Sequence, residues 1–318
     1  MVEIVKSIVR EINKANKIVL SAHTSPDGDA IGSSTALYVA VKNLGKEAYL
    51  LMEKPAEKYN MLPFNSEINT ETQNIEDVDL FIVLDCGNIK RMEDRSQKLF
   101  LKAKKSINID HHISNAMFGD INLVDVNSSS TSELTYLIID EMEKENIDIA
   151  KLIYSGIVFD TGGFKFDKTS SRTHEIAAKI HQYDFDHTLF YHQMCGNMSL
   201  KQFNMLQVVL AKCKIDPEKK IAYVLITLDD FERTNSTKDD FDGVANTFLN
   251  IKEVDISLFL YEAKEKLTKC SIRSKGPNVN QVAKCFNGGG HLLASGCVIE
   301  EDGLVALNML LNKINEMI

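Results

Sequence analysis

Leu80-Phe81-Ile82-Val83-Leu84 is an unbroken apolar run that stops on Asp85, and the same event recurs along the first half of the chain. Ile18-Val19-Leu20 leads into His23, with Asp27 and Asp29 close behind. Ile107-Asn108-Ile109 leads into Asp110-His111-His112, and an apolar segment from Ile149 to Val158 leads into Asp160. Strands buried on both faces are written as continuous apolar runs, and they belong to parallel sheets covered by helices. Helical stretches lie between these runs. Val5, Ile8, Val9 and Ile12 have the i, i+3, i+4, i+7 spacing of a core-facing helix. Residues 30–44 read as a second helix stopped by Gly45, and 132–145 as an amphipathic third. The alternation predicts an α/β domain on a mostly parallel sheet, with strands near 17–22, 50–52, 80–84 and 107–109.

Open sheets of this kind bind ligands at the carboxyl ends of their strands. Each Asp or His there reads equally well, taken alone, as a helix cap or turn residue. Four segments delivering them to one edge are hard to explain by capping. Carboxylates with a few imidazoles are the donor set of hard and borderline divalent cations. Gly28 lets the chain turn tightly between Asp27 and Asp29, and Pro26 stiffens the approach.

The pattern changes after about residue 185. Residues 185–210 read as helices with polar connections, followed by strands at 221–227, 254–261 and 267–272. Helical stretches at 239–250, 278–286 and 303–317 are interleaved with these strands. A chain of 318 residues is long for one core. The division expected is a catalytic, metal-binding domain over 1–185, a helical linker over 186–215, and a smaller α/β domain with a mixed sheet over 216–318. Six cysteines without a C-x-x-C pair, and an N-terminus without a signal peptide's apolar centre, predict a cytoplasmic protein. No apolar run is long enough to span a membrane, and a formal charge of −9 argues against coating long nucleic acid.

Several polar residues read as ordinary surface or packing. His174, His181, His187 and His192 do not share a helical face, and Asp229-Asp230 and Asp239-Asp240 read as solvated loop acids. Cys86 reads as buried packing, and Arg91 as an exposed turn residue able to reach a phosphate.

HTSPDGDAIGS (23–33), VLDCGN (83–88), NIDHHISN (108–115) and GIVFDTGGFKF (156–166) resemble, in order, the four signature motifs of the DHH phosphoesterases. CSIRS (270–274) and FNGGGHLLASG (286–296) resemble the DHH-associated substrate-binding domain, and the length and glycine loop look most like the nanoRNase/pAp-phosphatase branch. The resemblance implies a two-metal centre, with Mn²⁺ as the usual ion. His23, Asp27 and Asp85 would hold one ion, and Asp29, Asp85, His111 and Asp160 the other. His112 would face the phosphate, and Asp110 would orient the histidines from behind. Arg273, Gly288, Gly289, Gly290 and His291 would bind the substrate's terminal phosphate and nucleotide.

The activity implied is hydrolysis of short oligoribonucleotides and linear dinucleotides such as pApA and pGpG, the intermediates of cyclic dinucleotide degradation. Release of the 3′-phosphate of pAp is implied as well. The mechanism implied is in-line attack by a metal-activated hydroxide. The partners implied are these small substrates, with homodimerisation left open. Two other readings stand beside this one: a manganese-dependent inorganic pyrophosphatase-like enzyme, and a non-catalytic nucleotide-binding regulator built on an inactive copy of the fold.

Overall fold

The computed structural model describes residues 1–69, 75–241 and 244–317. The chain divides into two compact units, Met1–Asn197 and Met198–Ile318.

The first unit opens with α1 (Val2–Lys14), whose Val5, Ile8 and Ile12 are buried. There follow β1 (Lys17–Ser21), α2 (Gly28–Lys42), β2 (Glu47–Leu51), β3 (Ile68–Asn69) and β4 (Leu80–Leu84). After these come α3 (Asp94–Phe100), β5 (Lys105–Asp110), β6 (Ile121–Val124), α4 (Thr131–Met142) and α5 (Ile147–Asp160). Two further helices, α6 (Ser171–Ile180) and α7 (His187–Tyr191), close the unit. The six strands form one sheet in the order β3-β2-β1-β4-β5-β6, every pair parallel.

Successive residues of a buried strand point to opposite faces. Ile18, Leu20, Ile82, Leu84, Ile107 and Ile109 accordingly share one core with α1, α2, α4 and α5. Val19, Phe81 and Val83 share another with Met92 and Phe100. The chain builds outward from β1 to β2 and β3, then returns to lay β4, β5 and β6 on the other side. The switch therefore falls between β1 and β4, where Ser21 pairs with Val83, and Leu84 in turn pairs with Ile109. The carboxyl ends of three strands lie side by side.

Three elements differ from the sequence expectation. The apolar segment ending at Asp160 is the helix α5, whose buried residues run almost continuously from Ile149 to Val158. A helix buried on all sides carries no polar face, so its periodicity is lost. The short strands β3 and β6 were not expected, because they are only two and four residues long and each is interrupted by an asparagine.

The second unit holds α8 (Leu200–Lys212), β7 (Lys214–Asp216), β8 (Ile221–Ile226), α9 (Leu228–Thr234), α10 (Val244–Thr247) and β9 (Ile256–Lys264). These are followed by β10 (Leu267–Ser274), α11 (Val279–Lys284), β11 (Gly289–Gly290), β12 (Ala294–Ile299) and α12 (Gly303–Met317). Its sheet, ordered β11-β12-β10-β9-β8-β7, is mixed: β8 and β9 pair in parallel and the other neighbours antiparallel. One face packs on α11 and α12 through Leu258, Cys270, Ile272 and Leu310, the other on α8 through Met205 and Val209.

The helix expected over 239–250 is broken into short turns around α10, and residues 242–243 lie outside the described residues. Asp230 is not a solvated loop acid. It is buried in the capping box of α9, where its carboxylate accepts from the Thr227 backbone and hydroxyl and pairs with Lys212. Among the described residues no helix is long and apolar enough to cross a membrane.

Candidate metal centre

Several segments around the β1/β4 switch point bring acidic and imidazole side chains close together. The turn after β1 supplies His23. Asp27 caps α2, its carboxylate accepting from the N–H groups of Asp29 and Ala30. Asp29 lies in the first turn of that helix and is fully buried. Asp85 follows β4 with φ at +52°, in the left-handed region. Non-glycine residues are held there only when the surroundings over-determine them. Its N–H is held by the Ile109 carbonyl (2.9 Å), which turns the carboxylate across the strand ends.

Three donor groups result, each with ligand atoms within 4.8 Å of one another: His23 with Asp27 and Asp85, Asp29 with His111 and Asp160, and Asp85 with His111 and His112. The tautomers suit coordination. His23 Nδ1 donates to the Thr24 carbonyl (2.8 Å), which leaves Nε2 facing Asp85 (3.6 Å) and Asp27 (3.8 Å). His111 Nδ1 is directed at the Ser128 carbonyl (3.3 Å), leaving Nε2 at 3.0 Å from Asp160 and 3.8 Å from Asp85. His112 Nδ1 donates to Asp110 (2.7 Å).

Asp110 is buried and serves three donors: Oδ1 also takes the His111 N–H (2.9 Å), and Oδ2 takes Asn115 Nδ2 (2.6 Å). The start of α4 holds Asp29, whose two oxygens accept from the N–H groups of Thr131 (2.7 Å) and Ser132 (2.9 Å). A helix N-terminus is a natural seat for a carboxylate. Thr131 Oγ1 reaches Asp85 (3.1 Å) as well. Asn115, Thr131 and Ser132 were missed by sequence reading, although the run Ser128-Ser129-Ser130-Thr131-Ser132 just ahead of a helix is a strong capping signal.

The crowding of acids shows in their proton affinities. Burial, together with Asp85 and Asp160, pushes Asp29 well above the usual carboxylate range. Burial and Asp85 raise Asp27. Burial opposes the charge on His111, but the Asp160 hydrogen bond and the charges of Asp29, Asp160 and Asp85 push it up to about 10. Asp85 is likewise buried, yet the His23 hydrogen bond and the His112 and His111 charges hold it below its ordinary value. Protons thus collect where positive charge is lacking, and the donor chemistry fits divalent cations bound by oxygen and imidazole. Cys86 takes no part: it is buried, and burial pushes its thiol up to about 11.

Of the residues expected to grip substrate, all lie in the second unit. Arg273 is on β10, its Nη1 donating to the Ile272 (3.1 Å) and Ser295 (3.4 Å) carbonyls. His291 closes the turn between β11 and β12, its N–H donating to the Ala294 carbonyl (2.7 Å). Packing alone explains two of the three glycines. A Cβ on Gly288 would run into the Gly296 carbonyl and Cys297, and one on Gly290 would lie 2.5 Å from the Ala294 carbonyl oxygen. Gly289 faces open space. Elsewhere, His181 and His187 stack on each other at 3.9 Å, and His174 stacks on Phe164 at 5.5 Å.

Residues 17–157 match the N-terminal domain of the DHH family, and residues 218–318 match the DHHA1 domain. The bifunctional oligoribonuclease and PAP phosphatase NrnA of Bacillus subtilis is 32% identical over 301 residues, which cover 92% of each chain. The chain belongs to the DHH phosphoesterase family. The NrnA protein of Thermus thermophilus is 29% identical over 92% of this chain and 88% of its own. Among solved structures, an exopolyphosphatase-related protein from Bacteroides fragilis superposes with a TM-score of 0.89 at 28% identity, covering 99% of this chain and 96% of that one. A manganese-bound RecJ exonuclease shares the fold at a TM-score of 0.54 and 12% identity, over 98% of this chain and 93% of its own. The Asp110-His111-His112 triplet that gives the DHH family its name is therefore the strand end at which Asp110 holds both histidines.

Proposed function

We propose that this protein is a metal-dependent phosphoesterase that hydrolyses oligoribonucleotides of two to about five nucleotides, including pApA and pGpG, and converts pAp to AMP. The observation that carries this reading is the joint presence of the complete acid and imidazole cluster and full-length similarity to NrnA proteins. The same likeness favours nucleotide esters over pyrophosphate as the substrate. We assign His23, Asp27 and Asp85 to one ion and Asp29, Asp85, His111 and Asp160 to the other, with Mn²⁺ as the preferred metal. Bound there, two divalent ions supply Lewis-acid charge and lower the pKa of water enough to make a nucleophile near neutral pH.

The chain's own groups do the rest. Asp110 fixes His112 with its Nδ1 proton inward, so Nε2 is the nitrogen that meets the substrate. In the protonated form His112 donates to a phosphate oxygen or to the departing ribose oxygen. Burial works against its charge, but the Asp110 hydrogen bond, the largest influence, raises its pKa and favours that form. We assign hydrolysis to residues 1–185 and substrate grip to 216–318 through Arg273, Gly288, Gly289, Gly290 and His291, with 186–215 joining them. Free cysteines such as Cys195 and Cys285, both exposed, suit a cytoplasmic location.

The test is release of mononucleotides from pApA and of phosphate from pAp, with and without Mn²⁺, alongside pyrophosphate and a long RNA. Asp85→Asn is the decisive variant, because Asn tolerates the left-handed backbone at this position and preserves side-chain shape. Loss of at least about 10³-fold in kcat is expected, with the melting temperature of the metal-free protein unchanged. Undiminished turnover by Asp85→Asn would place the chemistry elsewhere.

A further inference from the structure

We propose that Arg91 is a substrate-binding residue of this centre, its guanidinium taking the non-bridging oxygens of the phosphate under attack. The proposal rests on the phosphoesterase reading and adds to it a cation in the first unit. Among the described residues the ion pairs of Asp27, Asp85, Asp110 and Asp160 are made with histidines alone. An anionic substrate approaching such a centre needs a cation that the carboxylates have not already claimed.

Arg91 is held beside that centre by its backbone. Its carbonyl accepts the N–H of Thr24 at 2.7 Å, one residue past His23. The turn carrying it, Ile89–Arg91, begins four residues after Asp85 and is capped by the Asn88 side chain. Cys86 Sγ donates to the Asn88 carbonyl (3.1 Å), and Gln97 Nε2 to the Met92 carbonyl (2.8 Å). Ile89 and Met92 pack into the core beneath, while Lys90 and Arg91 are exposed. The turn is thus pinned at both ends, and the side chain it presents has no carboxylate partner among the described residues. A fixed turn presenting an exposed guanidinium suits bidentate capture of a phosphate, which Lys reproduces only in part.

The experiment compares wild type, Arg91→Ala and Arg91→Lys as Mn²⁺-loaded full-length protein. Steady-state kinetics on pApA are read beside calorimetric affinities for inorganic phosphate and for Mn²⁺. Arg91→Ala should lose about 10- to 100-fold in kcat/KM and bind phosphate about tenfold more weakly, with Lys restoring part of both. Mn²⁺ affinity and melting temperature should stay at the wild-type value. Unchanged kcat/KM and phosphate affinity would overturn the proposal. So would a loss that arrives with weakened Mn²⁺ binding or a lowered melting temperature, since the turn would then serve structure alone. If wild type itself leaves pApA intact, the phosphoesterase reading falls, and the phosphate affinities still decide the role of Arg91.

Discussion

Asp110 belongs to none of the three donor groups, yet its two oxygens serve His111, His112 and Asn115. Asn115 also donates to Asn108 Oδ1 at 2.8 Å, so the carboxylate sits in a chain of fixed donors. Replacing it with an amide sets one N–H against another, because every neighbour on that side is a donor. Asp110→Asn should therefore leave the fold intact and lower kcat about 10- to 100-fold at saturating Mn²⁺. Steady-state kinetics at several Mn²⁺ concentrations make the check. Full recovery at high metal would show that Asp110 serves affinity rather than the orientation of His112.

The helices α2 and α5 meet at glycines. A Cβ on Gly32 would lie 2.6 Å from the Leu152 carbonyl oxygen, and one on Gly156 would run into Ser132 Oγ and lie 2.8 Å from Asp29 Oδ1. Backbone cannot yield as a flexible side chain can, so Gly32→Ala must push the helices apart. A loss of about 1–3 kcal/mol in urea unfolding is expected. Weaker Mn²⁺ binding should accompany it, since α2 carries Asp29 in its first turn and α5 ends on Asp160. An unchanged midpoint would mean that the two helices slide without cost.

This is also the scale at which sequence reading reached its limit. The runs ending at Ser21 and Leu84 declared themselves because burial on two faces writes an uninterrupted apolar word, and the strand ending at Asp110 showed through Ile107 and Ile109 on either side of Asn108. The four motif segments likewise pointed to residues that the fold does bring together. What stayed hidden was set by partners distant in sequence. Nothing near Thr131 says that its N–H will meet Asp29, and nothing near Gly32 says that Leu152 will press on it. β12 was absorbed into the glycine loop because Ala294-Ser295-Gly296 carries little apolar signal until Cys270 and Ile272 on β10 are placed beside it.

At the scale of the molecule, all three donor groups fall within Met1–Asn197, and none is found among the described residues of Met198–Ile318. An ion bound only to the folded state adds stability by mass action, about 2.7 kcal/mol when present at a hundred times its dissociation constant. Removing metal with a chelator should thus loosen one unit and spare the other. Hydrogen exchange followed by mass spectrometry should show faster exchange in peptides from α2, α4 and α5, with β8 to β12 unchanged. Equal loss of protection in both units would mean that they unfold as one.

The spread of these side chains from His23 to Asp160 also governs when in its life the protein can first take up metal. A ribosome adds about 5–20 residues per second, so a nascent chain carries His23, Asp27 and Asp29 for several seconds before Asp160 exists. Through that interval an ion finds fragments of two sites and a completed version of neither. It cannot seed the sheet; it can only reward a sheet already built. A cell starved of metal should therefore accumulate folded, idle enzyme that revives on resupply, instead of debris that must be degraded and made again.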